Sequence, residues 1–359
     1  MLEKSAKKNE NNAFDFPNQI RVSVGSAIVL GLLEGDLDAK PTTAYLMTYY
    51  SDKCAANCGF CPQARTSKSK AELLSRVAWP VFSTRTVLGA LKEAVCEERI
   101  RRVCFQVLNY PKAISDICAL VLAVNRCVSV AVSVSCQPLN IKNMLRLANA
   151  GVKRIGIPLD AATEQLFDKV KGTSAGGPYK WQEELRLLRM AILIFGEGNV
   201  STHLIVGLGE TEREVVLAIQ KSVDIGVLPA LFAFTPVKGT ALALNTKPAL
   251  DIYRRVQVAR HLIVNKLSRV EDMCFDSECR VADFGVKKEV LLRLVDSSVP
   301  FLTSGCPNCN RPFYNETPSG PLYNYPRAIR PAELKASMTA ASEPVALQVL
   351  SPMFNTPVE

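Results

Sequence analysis

Three cysteines stand close together near the start of the chain, in the segment Cys54-Ala-Ala-Asn-Cys58-Gly-Phe-Cys61. Three thiolates separated by three and then two residues can bind three corners of a 4Fe-4S cube, which leaves the fourth iron without a protein ligand. An iron with an open position can bind a cofactor. A zinc site would need a fourth Cys or His nearby, and none follows until Cys96. The spacing therefore predicts a three-thiolate metal site at Cys54, Cys58 and Cys61.

Four more cysteines lie towards the C-terminus, as the pair Cys274 and Cys279 and the pair Cys306 and Cys309. Two close pairs far apart in sequence are typical of a four-thiolate site, because a local turn holds each pair and the fold joins them. Zinc and a second iron-sulfur cluster both fit, and we favour the cluster because a first one is already predicted. Cys274 and Cys279 are also compatible with buried thiols, and Ser304 is an alternative oxygen ligand.

The composition narrows the possible chemistry further. The chain of 359 residues has twelve cysteines but only two histidines, His203 and His261, so catalysis by a Ser-His-Asp or Cys-His arrangement is nearly excluded. Its formal net charge is +9, which allows an acidic partner without requiring one. The remaining cysteines show no ligand spacing and are predicted to pack in the core: Cys96, Cys104, Cys118, Cys127 and Cys136.

The chain has no pattern that predicts export or a membrane span. It begins with a polar, lysine-rich stretch rather than a signal sequence, and Asn125 and Arg126 interrupt its longest apolar stretch. We therefore expect a cytoplasmic protein with no membrane partner and no nucleic-acid partner. Reduced thiols in that compartment bind metals more often than they form disulfides.

Short β-branched runs alternate with longer amphipathic stretches along most of the chain, which is typical of parallel strands joined by crossover helices. The pattern predicts an α/β fold, a (β/α)8 barrel of the TIM type, with a partly open six-strand barrel as the alternative. Its domains would be a polar leader (1–18), an N-terminal helical segment (19–41, with a helix over Ile20–Leu33), the barrel (42–310) and a C-terminal extension (311–359). The predicted strands are Ala44–Thr48, Arg102–Leu108, Val128–Ser135, Arg154–Leu159, Val200–Val206, Ala230–Thr235, Glu271–Phe275 and Pro300–Thr303.

This arrangement would place the candidate residues at one end of the barrel. Active sites of such barrels lie at the C-terminal ends of the strands. Cys54, Cys58 and Cys61 follow strand one, and Cys306 and Cys309 follow the predicted strand eight. Because strands one and eight are neighbours in a closed barrel, we expect two metal centres facing one opening.

Two strand ends carry further candidates. Asp160 ends strand four, where its carboxylate can accept a hydrogen bond from a ribose hydroxyl or cap the next helix. A glycine-rich turn, Gly207-Leu-Gly-Glu-Thr, follows strand five; on its own it indicates no more than a tight strand-to-helix connection.

The cysteine triad, with Phe60 just before its third member, resembles the signature of the radical S-adenosylmethionine (SAM) superfamily. This resemblance implies that the amino and carboxylate groups of SAM bind the open iron. An electron from the cluster then cleaves SAM to methionine and a 5'-deoxyadenosyl radical. An electron donor such as ferredoxin would be required.

The amino-acid sequence around strands four to six resembles that of the biotin-synthase-like branch of that superfamily. By this resemblance, Asp160 would bind the ribose of SAM, the backbone near Ile205 would meet the adenine, and Phe60 would also belong to the cofactor-binding residues. Phe234 would pack on the adenine or fill the barrel. Biotin synthase itself has a second cluster inside its barrel, and this chain has Cys104 on strand two but Ser201 on strand five, which argues against that cluster and against biotin synthesis.

The C-terminal segment Thr303-Ser-Gly-Cys-Pro-Asn-Cys-Asn-Arg and the N-terminal stretches GSAIVLGLL and KPTTAYLMTY resemble the two-subunit lipoyl synthases of archaeal type. That family implies a second related subunit, an auxiliary 4Fe-4S cluster and sulfur insertion at C6 or C8 of an octanoyl group on a lipoyl carrier protein. The alternatives are a radical SAM mutase or lyase without sulfur insertion, such as a methylornithine-synthase-like or hydrogenase-maturase-like enzyme, and a non-catalytic metal-binding scaffold.

Overall fold

The computed structural model describes residues 16–137, 140–317 and 319–329. Most of the predicted leader and the C-terminal tail beyond 329 lie outside the described residues. The described chain alternates strands with helices, and two single turns of 3-10 helix cover Val270–Asp272 and Val299–Phe301. The strands are β1 (Gln19–Val22), β2 (Thr43–Thr48), β3 (Leu73–Leu74), β4 (Val77–Ala78), β5 (Val81–Ser83), β6 (Arg102–Gln106), β7 (Ala131–Ser135), β8 (Arg154–Gly156), β9 (Val200–Val206), β10 (Leu228–Ala233), β11 (Cys274–Phe275) and β12 (Val281–Asp283). The helices are α1 (Val24–Val29), α2 (Thr84–Cys96), α3 (Ala113–Cys127), α4 (Ile141–Asn149), α5 (Glu164–Val170), α6 (Trp181–Phe195), α7 (Glu212–Asp224), α8 (Leu250–Val264) and α9 (Lys288–Asp296).

One eight-stranded sheet organises the molecule, in the order β10-β9-β8-β7-β6-β2-β1-β5. The six strands from β2 to β10 in this order are parallel neighbours, whereas β1 is antiparallel to both β2 and β5. The predicted α/β class is thus confirmed, as a mostly parallel eight-stranded sheet consistent with a (β/α)8-like barrel. Its six parallel strands coincide with the first six that the sequence predicts.

Along each strand, successive side chains point alternately into the helix-covered core and to the inner face of the sheet. On β2, Ala44 and Leu46 pack in the main hydrophobic core, while Tyr45 and Met47 point to the opposite face and line a cavity. This follows from the two-residue period of a strand, which sends successive side chains to opposite faces. Odd-numbered residues of β2 and β9 therefore define the interior where a site can form.

The crossover helices cover the outer face of the sheet. Helix α7 begins with a reciprocal cap, in which the Glu214 N–H donates to Thr211 Oγ1 (3.2 Å) and the Thr211 N–H donates to Glu214 Oε2 (2.8 Å). Its buried face includes Val215, Val216 and Ile219, and burial of one such side chain stabilises the fold by roughly 1.5–3 kcal/mol. The same packing holds the strand ends, and thus the loops that follow them, in place.

Three segments differ from the prediction. Ile20 to Val22 form strand β1 rather than the start of a helix, because they pair with β2 and bury their side chains. The predicted seventh strand is a 3-10 turn followed by a separate hairpin of β11 and β12. The predicted eighth strand is a 3-10 turn at Val299–Phe301, after which Leu302 makes only one isolated bridge, to Tyr325. Strands β1 and β5 complete the eight-stranded sheet instead.

The chain after Leu302 runs alongside β10, at one edge of the sheet, and against the inner face of β2. On one side, the Leu231 N–H of β10 donates to Ser304 Oγ (2.7 Å). On the other side, the Arg311 N–H donates to the Tyr45 hydroxyl of β2 (3.0 Å). An irregular segment, rather than a pair of strands, therefore contacts both β10 and β2.

In the described part of the chain, helices are too short or too polar to cross a lipid bilayer.

Candidate active site

A cavity of about 630 Å³ lies on the inner face of the sheet. Side chains from all six parallel strands line it, together with the loop that carries the cysteine triad and the C-terminal segment. Because all six strands contribute side chains, the cavity gathers residues that are far apart in sequence. Most of the predicted site residues line it.

The loop after β2 brings Cys54, Cys58 and Cys61 to this cavity. The Asn109 N–H donates to Cys54 Sγ (3.2 Å), and the Cys61 N–H donates to the Cys58 carbonyl (3.0 Å). Two further backbone hydrogen bonds anchor Gly59 between neighbouring loops, at 2.7 and 3.0 Å. The loop is therefore held by the body of the barrel and not by its own sequence alone.

The donor chemistry of this loop suits an iron-sulfur cluster. Burial raises the pKa of the Cys58 thiol and that of Cys61 to about 12. Buried thiols of this kind release their protons when a metal binds. In the described part of the chain, no three Cys, His, Asp or Glu side chains lie close enough together to coordinate one metal ion. The assignment therefore rests on three unpaired thiols that share one cavity wall.

Asp160 lies on the same cavity and is not a helix cap. Thr163 caps α5, with its Oγ1 accepting from the Leu166 N–H (3.2 Å), whereas Asp160 Oδ2 accepts from Lys171 Nζ (2.6 Å). Asp160 has a left-handed backbone (φ +67°), and its amide donates to the His203 carbonyl (2.8 Å). The capping alternative is thus excluded for Asp160, while its contact with a ribose stays a prediction.

Lys171 is a site residue that sequence reasoning missed. Its side chain is 1% exposed, and Nζ also donates to the Pro158 carbonyl (2.7 Å). Burial alone would lower the pKa of Lys171, but the carboxylate of Asp160 raises it overall. Removing one partner of such a buried pair costs about 3–5 kcal/mol. Nothing in the local sequence separates this lysine from its exposed neighbour Lys169.

The other predicted cofactor-binding residues lie together. Phe234 belongs to a small buried cluster against which Phe60 and Ile205 pack, along with Cys54 and Cys58. The Ile205 N–H is already used, because it donates to the Asp160 carbonyl (2.8 Å). The fold thus brings these residues to the same cavity wall as the cysteine triad, and their contact with SAM stays a prediction.

Cys306 and Cys309 enter the cavity deeper, next to β2, β6 and β7. Cys309 Sγ is 3.2 Å from the Tyr45 hydroxyl, and Cys306 Sγ is 3.7 Å from Ser133 Oγ. Burial raises the pKa of the Cys104 thiol, and the neighbouring Cys306 and Cys309 raise it further. Cys104 therefore belongs to this thiol group and not to the packed core that its sequence context predicts.

Cys274 and Cys279 do not join this group. Cys274 is exposed on β11, and Cys279 lies in the hairpin turn, where its carbonyl accepts from the Arg213 N–H (3.1 Å). The hairpin is fastened to the N-terminal end of α7, since the Val281 N–H donates to Glu212 Oε2 (2.9 Å). The predicted four-cysteine arrangement is therefore not assembled: one pair lies on an outer hairpin and the other inside the cavity.

Arg311 and His203 add polar groups to the deep part of the cavity. The Arg311 guanidinium lies 3.9 Å from the centre of the Phe232 ring, and Nη2 donates to the Leu231 carbonyl (3.3 Å). His203 packs on the same ring, with centroids 4.8 Å apart, and burial lowers its pKa to about 4. The imidazole is thus neutral near pH 7. Its odd-numbered position on β9 is the signal that could have placed it inside.

The buried carboxyl of Glu184 makes the stability of the folded protein depend on pH. Burial raises the pKa of its carboxyl to about 7, so the folded state binds more protons than the unfolded state up to that pH. The free energy of unfolding must then fall as pH rises between the two pKa values. Glu184→Gln lacks this carboxyl. We therefore expect its free energy of unfolding to rise, relative to that of the wild type, by on the order of 2 kcal/mol as the pH goes from about 5 to about 8. Urea unfolding at both pH values measures this.

The exposed neighbour Glu183 provides the control for that measurement. Its side chain is half exposed, and hydrogen bonds from Arg186 lower its pKa. Glu183→Gln should therefore show no comparable gain over this pH range. An equal pH trend in both variants would contradict the role of burial at Glu184.

Known proteins match part of the chain. Residues 48–221 match the family model described as the Radical SAM superfamily. No curated protein sequence matches the chain.

Solved structures that match part of the chain include the FeFe-hydrogenase maturase HydG from Carboxydothermus hydrogenoformans, at 17% identity and a TM-score of 0.48. Methylornithine synthase (PylB) is 13% identical with a TM-score of 0.49. Each match covers 67% of this chain, and the chain covers 55% of the maturase and 66% of the synthase. The methyltransferase TsrM from Kitasatospora setae is 15% identical, with a TM-score of 0.39, covering 56% of this chain and 38% of that one.

Proposed function

We propose that this chain, whose residues 48–221 match the family model of the Radical SAM superfamily, is a sulfurtransferase, a lipoyl synthase subunit that inserts sulfur at C6 or C8 of a protein-bound octanoyl-lysine. One observation carries the proposal. A single cavity is lined by the cysteine triad and, deeper, by Cys104, Cys306 and Cys309. A radical enzyme that adds sulfur needs two such centres with the substrate carbon between them.

The spacing of the two thiol groups supports this. Cys309 contacts Tyr45 in the first half of β2, whereas the triad follows the last residue of that strand, Thr48. Three residues of strand separate these levels by roughly 10 Å. In this proposal the alkyl chain would lie between these two levels.

The wall between the two levels is mostly apolar. Met47, Trp79 and Leu108 pack together on one side, and Phe232 and Phe313 line the cavity as well. A saturated chain offers no hydrogen-bonding groups, so apolar walls suit it, and buried polar groups without partners would be costly. This favours an unactivated CH2 group as the reacting centre.

Cys54, Cys58 and Cys61 would hold three irons of the SAM cluster, with Asp160, Ile205, Phe60 and Phe234 around SAM. When bound, the two clusters supply the electron that cleaves SAM and the sulfur that the substrate receives. For the auxiliary cluster we propose Cys104, Cys306 and Cys309 in place of a four-cysteine set with Cys274 and Cys279. Ser304 is not among the residues that line the cavity, and its Oγ accepts from the Leu231 N–H.

The hairpin of β3 and β4 would keep water from the reacting centre. Its residues Leu74 to Trp79 line the cavity, and Arg76 fastens it to the C-terminal segment by donating to the carbonyls of Phe313 (2.9 Å) and Glu316 (2.5 Å). A carbon radical reacts with whatever it meets. A closed, apolar cavity therefore protects it.

The remaining parts of the proposal are the partners and the location. They are a second related lipoyl synthase subunit, an octanoylated lipoyl carrier domain and an electron donor such as ferredoxin, all in the cytoplasm.

Iron and sulfide analysis of anaerobically reconstituted protein tests the proposal. Two cubane clusters predict about eight irons per chain, together with conversion of an octanoyl-lysyl peptide when SAM, a reductant and the second subunit are supplied. About four irons with one zinc would make the second site structural and favour a radical enzyme without sulfur insertion. A chain without iron would contradict every enzymatic function.

A further inference from the structure

Five exposed basic residues lie on two loops at the C-terminal edge of the sheet. One loop follows the cysteine triad and the other follows β10. We call this surface the basic rim; its residues are Arg65, Lys68, Lys70, Lys238 and Lys247.

The two loops form one surface. The Lys68 N–H donates to the Gly239 carbonyl (2.8 Å), and Ser67 Oγ donates to the same oxygen (3.2 Å). A Cβ at Gly239 would lie 2.6 Å from the Ser69 nitrogen, so the loops touch. The second loop also reaches the cluster loop, because the Leu242 N–H donates to the Gly59 carbonyl (3.0 Å). A molecule held by the rim is therefore held beside the triad.

The positive charge of the rim is not compensated locally. Residues 61–71 and 234–250 contain no Asp or Glu; of the acidic residues that directly follow them, Glu72 and Asp251, the second is paired with Arg255. Of the ion pairs between described residues, none includes a residue of the basic rim. The chain's net charge of +9 thus has a local concentration that the sequence pattern did not reveal. Uncompensated charges at the edge of a site attract oppositely charged molecules.

An exposed apolar residue lies on the same surface. Leu244 is 98% exposed, two residues after Leu242, which packs against the cluster of Phe234 and the triad. Residues 61–71 and 235–249 include no Phe, Tyr or Trp, and stacking on such rings is how single-stranded nucleic acids are usually held. Positive charge around one bare leucine instead suits a folded protein with an acidic face.

We propose that the basic rim docks the acidic face of the protein domain that carries the substrate lysine. This inference rests on the proposed function and identifies the surface through which its macromolecular substrate binds. Docking here sets the modified lysine at the edge of the cluster loop, from which the acyl chain enters the cavity. The rim raises the association rate and the affinity for the domain, and it contributes nothing to the radical chemistry.

The test compares a charge-reversed variant with a matched control. The rim variant carries Lys68→Glu, Lys238→Glu and Lys247→Glu; Arg65 is left intact because its Nη2 donates to the Gly176 carbonyl (3.0 Å). The control carries Lys92→Glu, Lys153→Glu and Lys221→Glu, which make the same charge change at exposed positions. Lys153 directly precedes β8 and Lys221 lies in the last turn of α7, so both lie towards the opposite edge of the sheet.

Two substrates separate docking from chemistry: the octanoylated carrier domain and a short, uncharged octanoyl-lysyl peptide. For the rim variant we expect kcat/KM on the domain to fall by about tenfold or more at low salt, with unchanged turnover of the peptide and unchanged 5'-deoxyadenosine formation. The control should match the wild type on both. Added salt should lower the wild-type value on the domain and leave the rim variant nearly unaffected.

Four results would overturn the inference. The rim variant could retain wild-type kcat/KM on the domain, or the control variant could lose as much kcat/KM as the rim variant. If the peptide is still turned over in either case, the proposed function would stand without this docking surface. The rim could instead govern binding of an RNA or DNA oligonucleotide and not of the domain. If the wild type converts neither substrate, the proposed function fails and this inference fails with it.

Discussion

Replacing Cys58 by alanine is expected to abolish the formation of 5'-deoxyadenosine from SAM, by at least about 1,000-fold, or roughly 4 kcal/mol in the barrier. Cys58 is the central member of the triad and lines the cavity with its partners. A cluster that loses one of three protein ligands has no substitute in its own loop, since the next thiol in sequence is Cys96, exposed at the end of α2, and the proposal assigns Cys104, Cys306 and Cys309 to the second cluster. Chromatography of the nucleoside product after anaerobic reconstitution measures the effect.

Cys96→Ala is the matched control for this prediction. It removes a thiol of the same kind from the surface, so iron content and SAM cleavage should equal those of the wild type. Circular dichroism establishes that both variants remain folded. Cleavage of SAM by a folded Cys58→Ala variant at the wild-type rate would contradict the assignment of the triad.

Replacing Cys306 and Cys309 together by alanine is expected to leave SAM cleavage intact and to abolish sulfur insertion. Both residues enter the cavity beside Cys104, at a level below the triad. The iron content should fall from about eight to about four per chain. Assays of 5'-deoxyadenosine and of thiolated octanoyl product, run on the same sample, separate the two functions.

The double variant Cys274→Ala, Cys279→Ala makes the equivalent change on the outer hairpin. Because Cys274 is exposed and the hairpin lies on α7, we expect this variant to keep its full iron content and its product formation. Equal loss in both double variants would restore the four-cysteine site that the sequence suggested. Sulfur insertion that survives in Cys306→Ala, Cys309→Ala would remove the auxiliary site from the proposal.

Much of the barrel could be predicted because local patterns encode it. The six parallel strands are β-branched runs with flanking turns, and β9 has the predicted bounds, Val200–Val206. Such patterns depend on residues that are neighbours in sequence. The triad is similar, since three thiols within eight residues reach one metal whatever the rest of the chain does.

The errors occurred where pairing partners are distant. Ile20–Val22 carry a pattern that suits a helix, yet their hydrogen bonds go to β2 and to the chain near Trp79. The segment after Phe301 resembles a strand, but it meets β10 and β2 through side chains such as Ser304 and Tyr45. Propensity is a weak guide in short segments, where tertiary contacts decide the conformation.

The sequence by itself determined the class of fold, the three-thiolate loop and the scarcity of histidine that excludes most acid-base catalysis. Only the tertiary structure decided which thiols share the cavity: Cys104 joins Cys306 and Cys309, and Cys274 and Cys279 stay outside on a hairpin. It also decided that Lys171 is buried against Asp160 and that five lysine and arginine side chains form one rim. The physical reason is that ligand spacing within a loop is set by covalent geometry, whereas contacts between different loops and strands are set by strand pairing and burial, which local sequence does not specify.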